Sequence, residues 1–214
     1  MVWKVISGGQ TGADRGGLDA AIELGVSHGG WCPRKRRAED GRVPDRYKLD
    51  EHVYYGYRHR TAENVKEADA TVIFLYGDES DPGVRSGSKM TAQVARRNKK
   101  PLCEIDLEQH GVDGAASLIT SWIDNCEAFG MPIRVLNVAG KRESKAPGIQ
   151  KAVKKVMLAV LEVSASVVGP ADDQRDASQA QSNEQAMDGL VDGKSDSEAE
   201  ADEPDEPMLR WEDI

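Results

Sequence analysis

Within Ser7-Gly8-Gly9-Gln10-Thr11-Gly12-Ala13-Asp14-Arg15, three glycines, two hydroxyls and a guanidinium fall inside nine residues. Gly8, Gly9 and Gly12 tolerate positive φ and leave no Cβ in the path of an approaching group. Backbone N–H groups exposed by such a turn, with the positive end of a helix behind them, hold phosphates and other oxyanions. Gln10 and Thr11 add side-chain donors, and Arg15 adds a charge from the first helical turn. The pattern is neither G-x-G-x-x-G nor the P-loop, so a tight turn without a ligand is the plain alternative. Two further turns have related composition. Ser86-Gly87-Ser88-Lys89-Met90-Thr91 places small residues, a lysine and a hydroxyl at a helix start. Gly140 to Gly148 carries Lys141, Arg142, Ser144 and Lys145. Simple Ser/Gly capping is the bland account of the second turn.

The acids beside these turns suggest a different chemistry. Asp14, Glu39, Asp40 and Glu143 have the right side chains for general acid and base work on a nucleotide bond. Pairing with the many neighbouring arginines is the structural alternative. The run Arg34-Lys35-Arg36-Arg37, followed by Glu39-Asp40-Gly41, is a concentrated charge feature that reads as a solvated loop. Only Trp31 lies close to it, and that is thin aromatic interleaving for a nucleic-acid surface.

These turns make one site only if strands and helices carry them to one edge. Val2 to Ile6 reads as a strand, and Leu18 to Leu24 as a helix that Gly25 stops. Within 26–33 a short strand runs into the basic loop, and 47–57 is irregular. Thr61 is the expected N-cap of a helix ending near Asp69. Arg60 and Asn64, one helical turn apart, could alternatively face a ligand. Ala70 to Tyr76 is the clearest buried strand. A helix over Met90–Asn98, a strand over Pro101–Asp106, an amphipathic helix over Gly114–Phe129, a strand over Ile133–Ala139 and a helix over Ile149–Val163 complete the order. Alternating strands and helices predict an α/β, Rossmann-like three-layer sandwich with a mostly parallel sheet. Every strand-to-helix turn then lies on the carboxyl edge, so 7–17, 85–91 and 139–148 converge there.

The chain has 214 residues, and its net charge of −9 is unevenly spread. From residue 164 on, 15 acids face 3 bases, a net of −12; the remaining 22 acids and 25 bases leave residues 1–163 at +3. The expected division is a Rossmann-like anion- or nucleotide-binding domain over 1–163 and an acidic, largely disordered tail over 164–214. A short motif at 207–214 regains Met208, Leu209, Trp211 and Ile214 and could dock a protein partner. Cys32, Cys103 and Cys126 are scattered, which suggests neither a zinc site nor a disulfide framework. No apolar run is long enough for a membrane span and no signal peptide is evident, so the expected location is the cytoplasm.

Residues 5–148 resemble the putative molybdenum carrier family, Rossmann-like relatives of the YpsA-like and lysine-decarboxylase-like (cytokinin-activating) proteins. The resemblance rests on Ser7 to Arg15, His28-Gly29-Gly30-Trp31-Cys32-Pro33 and Arg36 to Gly41. It continues in Arg60-Thr61-x-x-Asn64-Val65, Gly87-Ser88-x-Met90-Thr91, Lys100-Pro101 and Leu136 to Ile149. It implies binding of the pterin-based molybdenum cofactor or a related anion. Ser86-Gly87-Ser88 stands where the family usually has Gly-Gly-Thr, Lys35 where a glycine is common, and Gln93 where an acid is usual. In the cytokinin-activating relatives that acid serves hydrolysis of an N-glycosidic bond, and a glutamine cannot be a general base.

The expected reading is therefore a cytoplasmic, homo-oligomeric carrier for a phosphorylated pterin, or an unidentified nucleotide. Gly8, Gly9, Gln10, Thr11, Gly12, Arg15, Gly87, Ser88, Lys89, Thr91 and Ser144 would hold the anion. Arg37 would add charge, and Trp31 or a tyrosine would stack on the ring. No residue is assigned as catalytic or metal-binding, and neither nucleic acid nor membrane is an expected partner. A phosphoribohydrolase-like enzyme and an interaction module working through its acidic tail are the alternatives.

Overall fold

The computed structural model describes residues 1–54, 56–77 and 87–166, with the side chains of 164–166 set aside. Tyr55, residues 78–86 with Ser86, and the tail from 167 on, including 207–214, lie outside the described residues.

Short β-branched runs form the centre. β1 (Lys4–Ile6), β2 (Ser27–Gly29), β7 (Ala70–Leu75), β8 (Leu102–Asp106) and β9 (Val135–Gly140) build one parallel sheet in the order β2-β1-β9-β7-β8. The last of these strands in the chain lies in the middle: Val5 pairs with Leu136, and Val72 with Val138. Between β2 and β7 come β3 (Trp31–Cys32), a 3-10 turn (Arg34–Arg36), β4 (Arg37–Ala38), β5 (Gly41–Arg42) and β6 (Asp50–Glu51). β3 pairs with β6, and β4 with β5, outside the main sheet.

Helices cover the sheet because a parallel sheet buries both faces. α1 (Ala13–Glu23) packs on α5 (Ile149–Ser166), which packs on α4 (Leu107–Ala128); α2 (Tyr57–Glu67) and α3 (Gly87–Arg97) pack on each other. Side chains alternate along each strand. Val72, Phe74, Leu136 and Val138 join the core under α1, α4 and α5. Asn137 shares a buried contact with Thr71 (3.3 Å), and the Ser7 hydroxyl donates to the Val138 carbonyl (2.5 Å).

The structure departs from the local reading at four places. Thr61 is inside α2, not at its start: Gly56 holds the cap position, and the Thr61 hydroxyl donates back to the Tyr57 carbonyl at 2.8 Å, as hydroxyls in helix interiors do. α4 begins at Leu107, seven residues before Gly114, because Asp106 accepts the Glu108 N–H (2.9 Å); Gly111, at φ 62°, then breaks its regularity. α5 continues to Ser166, past the expected tail boundary at 164. The basic run is not simply a solvated loop. Arg36 is 7% exposed, and its guanidinium donates to the carbonyls of Val43, Leu49, Pro44 and Tyr47 at 2.8–3.2 Å. Around it Leu18, Cys32, Ala38, Val43, Tyr47 and Leu49 form a second small core. Lys35, noted in the sequence as standing where a glycine is common, has φ 61°, and its N–H donates to Glu51 at 2.7 Å.

Among the described residues, no helix is long and apolar enough to cross a membrane.

Candidate functional site

The glycine turn leaves β1 and enters α1 at the carboxyl edge, as its composition predicts. Each glycine there faces the protein itself. A Cβ on Gly8 would overlap the Arg60 guanidinium, and one on Gly12 would overlap the Lys141 carbonyl. Gly9 has φ 71°, and a Cβ on it would stand 2.5 Å from Leu49 Cδ1. A bulky residue at Gly9 would therefore disturb the small core as well as any ligand. The turn's donors are partly committed. The Gln10 N–H donates to Asp14 (3.2 Å), the Thr11 N–H to Gln10 Oε1 (3.0 Å) and the Ala13 N–H to the Lys141 carbonyl (3.0 Å).

β9 is the neighbour of β1, so the turn after it, 140–148, comes alongside. Between the two turns lies an open surface pocket of about 500 Å³ lined by Thr11, Arg15, Glu39, Asp40, Glu143, Ser144 and Gln150. Thr11, Arg15 and Ser144 were read from sequence as anion-binding residues, and the structure brings them together. Gln10 lies directly behind, its Oε1 accepting the Glu39 N–H at 2.9 Å.

Four carboxyl groups surround this point, each in its own environment. Asp40 accepts both terminal nitrogens of Arg15 at 2.6 and 2.8 Å. That fork holds the Asp40 carboxyl below its ordinary range. Glu39 accepts the Thr11 hydroxyl, the Ser144 hydroxyl (2.5 Å) and the Ser144 N–H (3.2 Å), with Arg142 3.9 Å away. Burial works against its charge, but the Ser144 and Thr11 hydroxyls and Arg142 outweigh it and lower its pKa. Glu143 accepts the N–H groups of Gly148 (2.5 Å) and Gln150 (3.0 Å), so a carboxylate of the chain sits at the start of α5, where the helix dipole favours negative charge. Asp14 is fully enclosed; burial raises its pKa against the pull of Arg60 (3.3 Å), the Gln10 N–H and Arg142.

Arg60 and Arg142 flank one ring: each guanidinium carbon is 5.8 Å from the Tyr57 centroid. Arg60 thus reaches the turn, as one of the two sequence accounts of this helix allows. Its partner in that account, Asn64, instead clamps the backbone of Trp31, accepting its N–H at 2.7 Å and donating to its carbonyl at 3.1 Å. Trp31 is not a cavity-lining residue; its indole N–H donates to Glu67 at 2.5 Å. Arg37 is exposed on β4, opposite Arg42. Gly87, Ser88, Lys89 and Thr91 open α3. Ser88 and Thr91 are buried, and the Thr91 hydroxyl donates to the Gly87 carbonyl at 2.9 Å. None of these four lines the cavity. Gln93 is an exposed residue of α3.

Sequence reasoning weighed Glu39, Asp40 and Glu143 as hydrolytic groups or as structural partners of nearby arginines; Asp40 follows the second account, gripped by Arg15, and none of the three was placed among the residues holding a ligand. The signal was present at Asp40-Gly41, a turn dipeptide that can close a hairpin and carry two acids at its tip. Among the described residues, no group of three or more His, Cys, Asp or Glu is placed to hold a metal ion.

A parallel sheet with its cavity at the carboxyl ends of two central neighbouring strands defines a Rossmann-like α/β domain. The chain belongs to the circularly permutated YpsA SLOG family, whose model matches residues 5–161. It is also similar to a solved structure, the crystal structure of putative molybdenum carrier protein from Syntrophus aciditrophicus SB. That protein shares 41% identity over 75% of this chain and 95% of its own, with a TM-score of 0.67. None of the curated proteins compared matches the chain.

Proposed function

We propose that this protein is a carrier that binds a phosphorylated pterin of the molybdenum cofactor kind, or a phosphorylated nucleotide, at the carboxyl edge of its sheet. The observation that carries this reading is the convergence of the β1–α1 and β9–α5 turns on one cavity lined by Thr11, Arg15 and Ser144. Open α/β sheets hold ligands in the crevice outside the carboxyl ends of their strands. The solved relative's description as a putative molybdenum carrier protein supports a cargo related to molybdenum. In this reading Ser88, Lys89 and Thr91, at the start of α3, would add further donors to the ligand.

Binding is favoured over hydrolysis by the state of the acids. A general acid or base works best with a pKa near the operating pH. Glu39 and Asp40 are held below the ordinary carboxylate range and Glu143 caps α5; Asp14, whose pKa burial raises, is paired with Arg60 behind the turn and does not line the site.

Native mass spectrometry of the purified protein, with molybdenum analysis of the same sample, tests the reading. A co-purified mass matching a pterin or nucleotide phosphate is expected. Absence of such a mass, together with no thermal shift from pterin phosphates or nucleotides, would overturn it. Release of free base or inorganic phosphate from those compounds would replace it with the hydrolase.

A further inference from the structure

The tip of the β4–β5 hairpin presents two consecutive carboxylates, Glu39 and Asp40, to donors on other parts of the chain. Arg15 grips Asp40 through both terminal nitrogens at 2.6 and 2.8 Å. The Thr11 hydroxyl, the Ser144 hydroxyl at 2.5 Å and the Ser144 N–H at 3.2 Å converge on Glu39, with Arg142 3.9 Å away. A two-pronged guanidinium beside hydroxyl and amide donors is the arrangement that takes a phosphate as readily as a carboxylate. The donors come from α1 and from two separate turns, and the tip satisfies them all at once.

We propose that the Glu39–Asp40 tip is a displaceable anion mimic, seated in an oxyanion site formed by Thr11, Arg15, Arg142 and Ser144, which a phosphate group enters by lifting the tip. The proposal deepens the carrier reading and rests on it for the physiological ligand.

The hairpin is built to move at its tip and stay at its base. β4 and β5 have two residues each and pair with one another, Arg37 with Arg42 and Ala38 with Gly41. Gly41 has φ 111° and open space where a Cβ would stand. Below it, Ala38 and Val43 are buried in the small core, and Arg36 fastens four carbonyls. The Asp40 side chain is 46% exposed. Besides the carboxylate contacts, the Glu39 N–H donates to Gln10 Oε1 at 2.9 Å, which guides the tip back to one seat. A phosphate carries one to two negative charges and cannot share the donors with two carboxylates within a few ångströms. Exchange keeps Arg15 partnered throughout. The apparent affinity for an anion is then reduced by the fraction of molecules whose tip is lifted.

The test titrates the full chain with inorganic phosphate and with molybdate by calorimetry, comparing wild type, E39Q, D40N and the double variant. Both substitutions preserve side-chain shape. The double variant is expected to bind the oxyanions about tenfold more tightly, the factor for a tip seated in roughly nine molecules of ten. Equal affinity, no binding by either protein, or weaker binding by the variant overturns the proposal; weaker binding would mean that the acids contact the ligand directly. A second measurement needs no variant. Saturating phosphate should speed hydrogen exchange at the amides of 39–42 in the wild-type chain, and unchanged or slower exchange there overturns the proposal. Pterin phosphates and nucleotides are titrated into the same proteins. If they bind wild type while both oxyanion results fail, the tip mechanism alone falls. If both oxyanion results hold and no organic phosphate binds, the carrier reading alone falls.

Discussion

Arg36 stands third in a run of four bases, and on charge patterning alone it belongs in water. It is buried because a guanidinium has five donors in a fixed plane, enough to close a lobe whose carbonyls have no strand partners. Those carbonyls belong to Val43, Pro44, Tyr47 and Leu49. Arg36→Met is expected to lower stability by about 3 kcal/mol, because the Val43 and Leu49 carbonyls lose their side-chain donor while those of Pro44 and Tyr47 keep only a backbone N–H. A urea unfolding curve checks this, and a loss below roughly 1 kcal/mol would show that the lobe closes without the guanidinium. Arg36→Lys should recover little, since an ammonium cannot span four carbonyls. The acids at the cavity make a second prediction. Glu39 and Asp40 titrate below their ordinary values of 4.5 and 3.8 in the folded chain. A carboxyl with a lowered folded pKa contributes stability that is fully present above its unfolded value and lost as pH falls through the folded one. The stability of wild type should therefore drop below about pH 4 more steeply than that of E39Q/D40N. Parallel unfolding curves from pH 6 to pH 3 for the two proteins would refute the assignment.

At the scale of elements, α1 shows how a local cost is offset by packing. Gly16 and Gly17 lie inside it, where each glycine disfavours helix by about 1 kcal/mol relative to alanine. A Cβ on Gly17 would stand 2.7 Å from the Val138 side chain of β9, and one on Gly16 would stand 2.7 Å from the Gln150 carbonyl of α5. The absent side chains let α1 settle between strand and helix, and that closeness brings the β1 and β9 turns to one cavity. Gly17→Ala is thus expected to destabilise by about 2 kcal/mol despite alanine's better helix propensity. It should also weaken ligand binding, because α1 carries Arg15. A thermal melt with a higher midpoint than wild type would show that propensity, not contact with β9, decides this position. The termini of α4 and α5 are set in a related way: Asp106 and Glu143 each place a carboxylate on N–H groups at a helix start. A turn that composition marks as an anion site can therefore be occupied by the chain's own acid.

For the whole molecule, charge divides the chain more sharply than any single contact does. Met1–Gly169 is one compact unit, and it holds the 25 bases and 22 acids of the basic part. Truncation after Gly169 changes the net charge from −9 to +3. The truncated protein should pass from retention on an anion exchanger to retention on a cation exchanger at pH 7, and its unfolding free energy should stay within about 0.5 kcal/mol of the full chain's, with little change in the midpoint. A clear fall in the midpoint would mean that residues past Gly169 contribute to the stability of the body.

The order of strands, turns and helices was legible because it rests on short-range periodicity and on glycine's backbone freedom, both local properties. Ala70 to Leu75 could hardly be anything but a buried strand, and Ser7 to Gly12 anything but a turn. The parallel sheet and the meeting of Thr11 with Ser144 then followed from topology rules. Helix starts were less legible: Gly56 offers no side-chain cap for α2, and Thr61 looked like one only in the absence of its neighbours. What remained hidden was which polar groups are engaged. Arg15 meets Asp40 across 25 positions, Arg60 meets Asp14 across 46, and Ser144 meets Glu39 across 105. Each pairing depends on how closely separate elements approach, and a guanidinium's partner is set by that approach rather than by its neighbours in the chain. The sequence by itself determined the architecture and the edge on which the strand-to-helix turns meet; only the tertiary structure decided that the chain's own acids already hold the donors there.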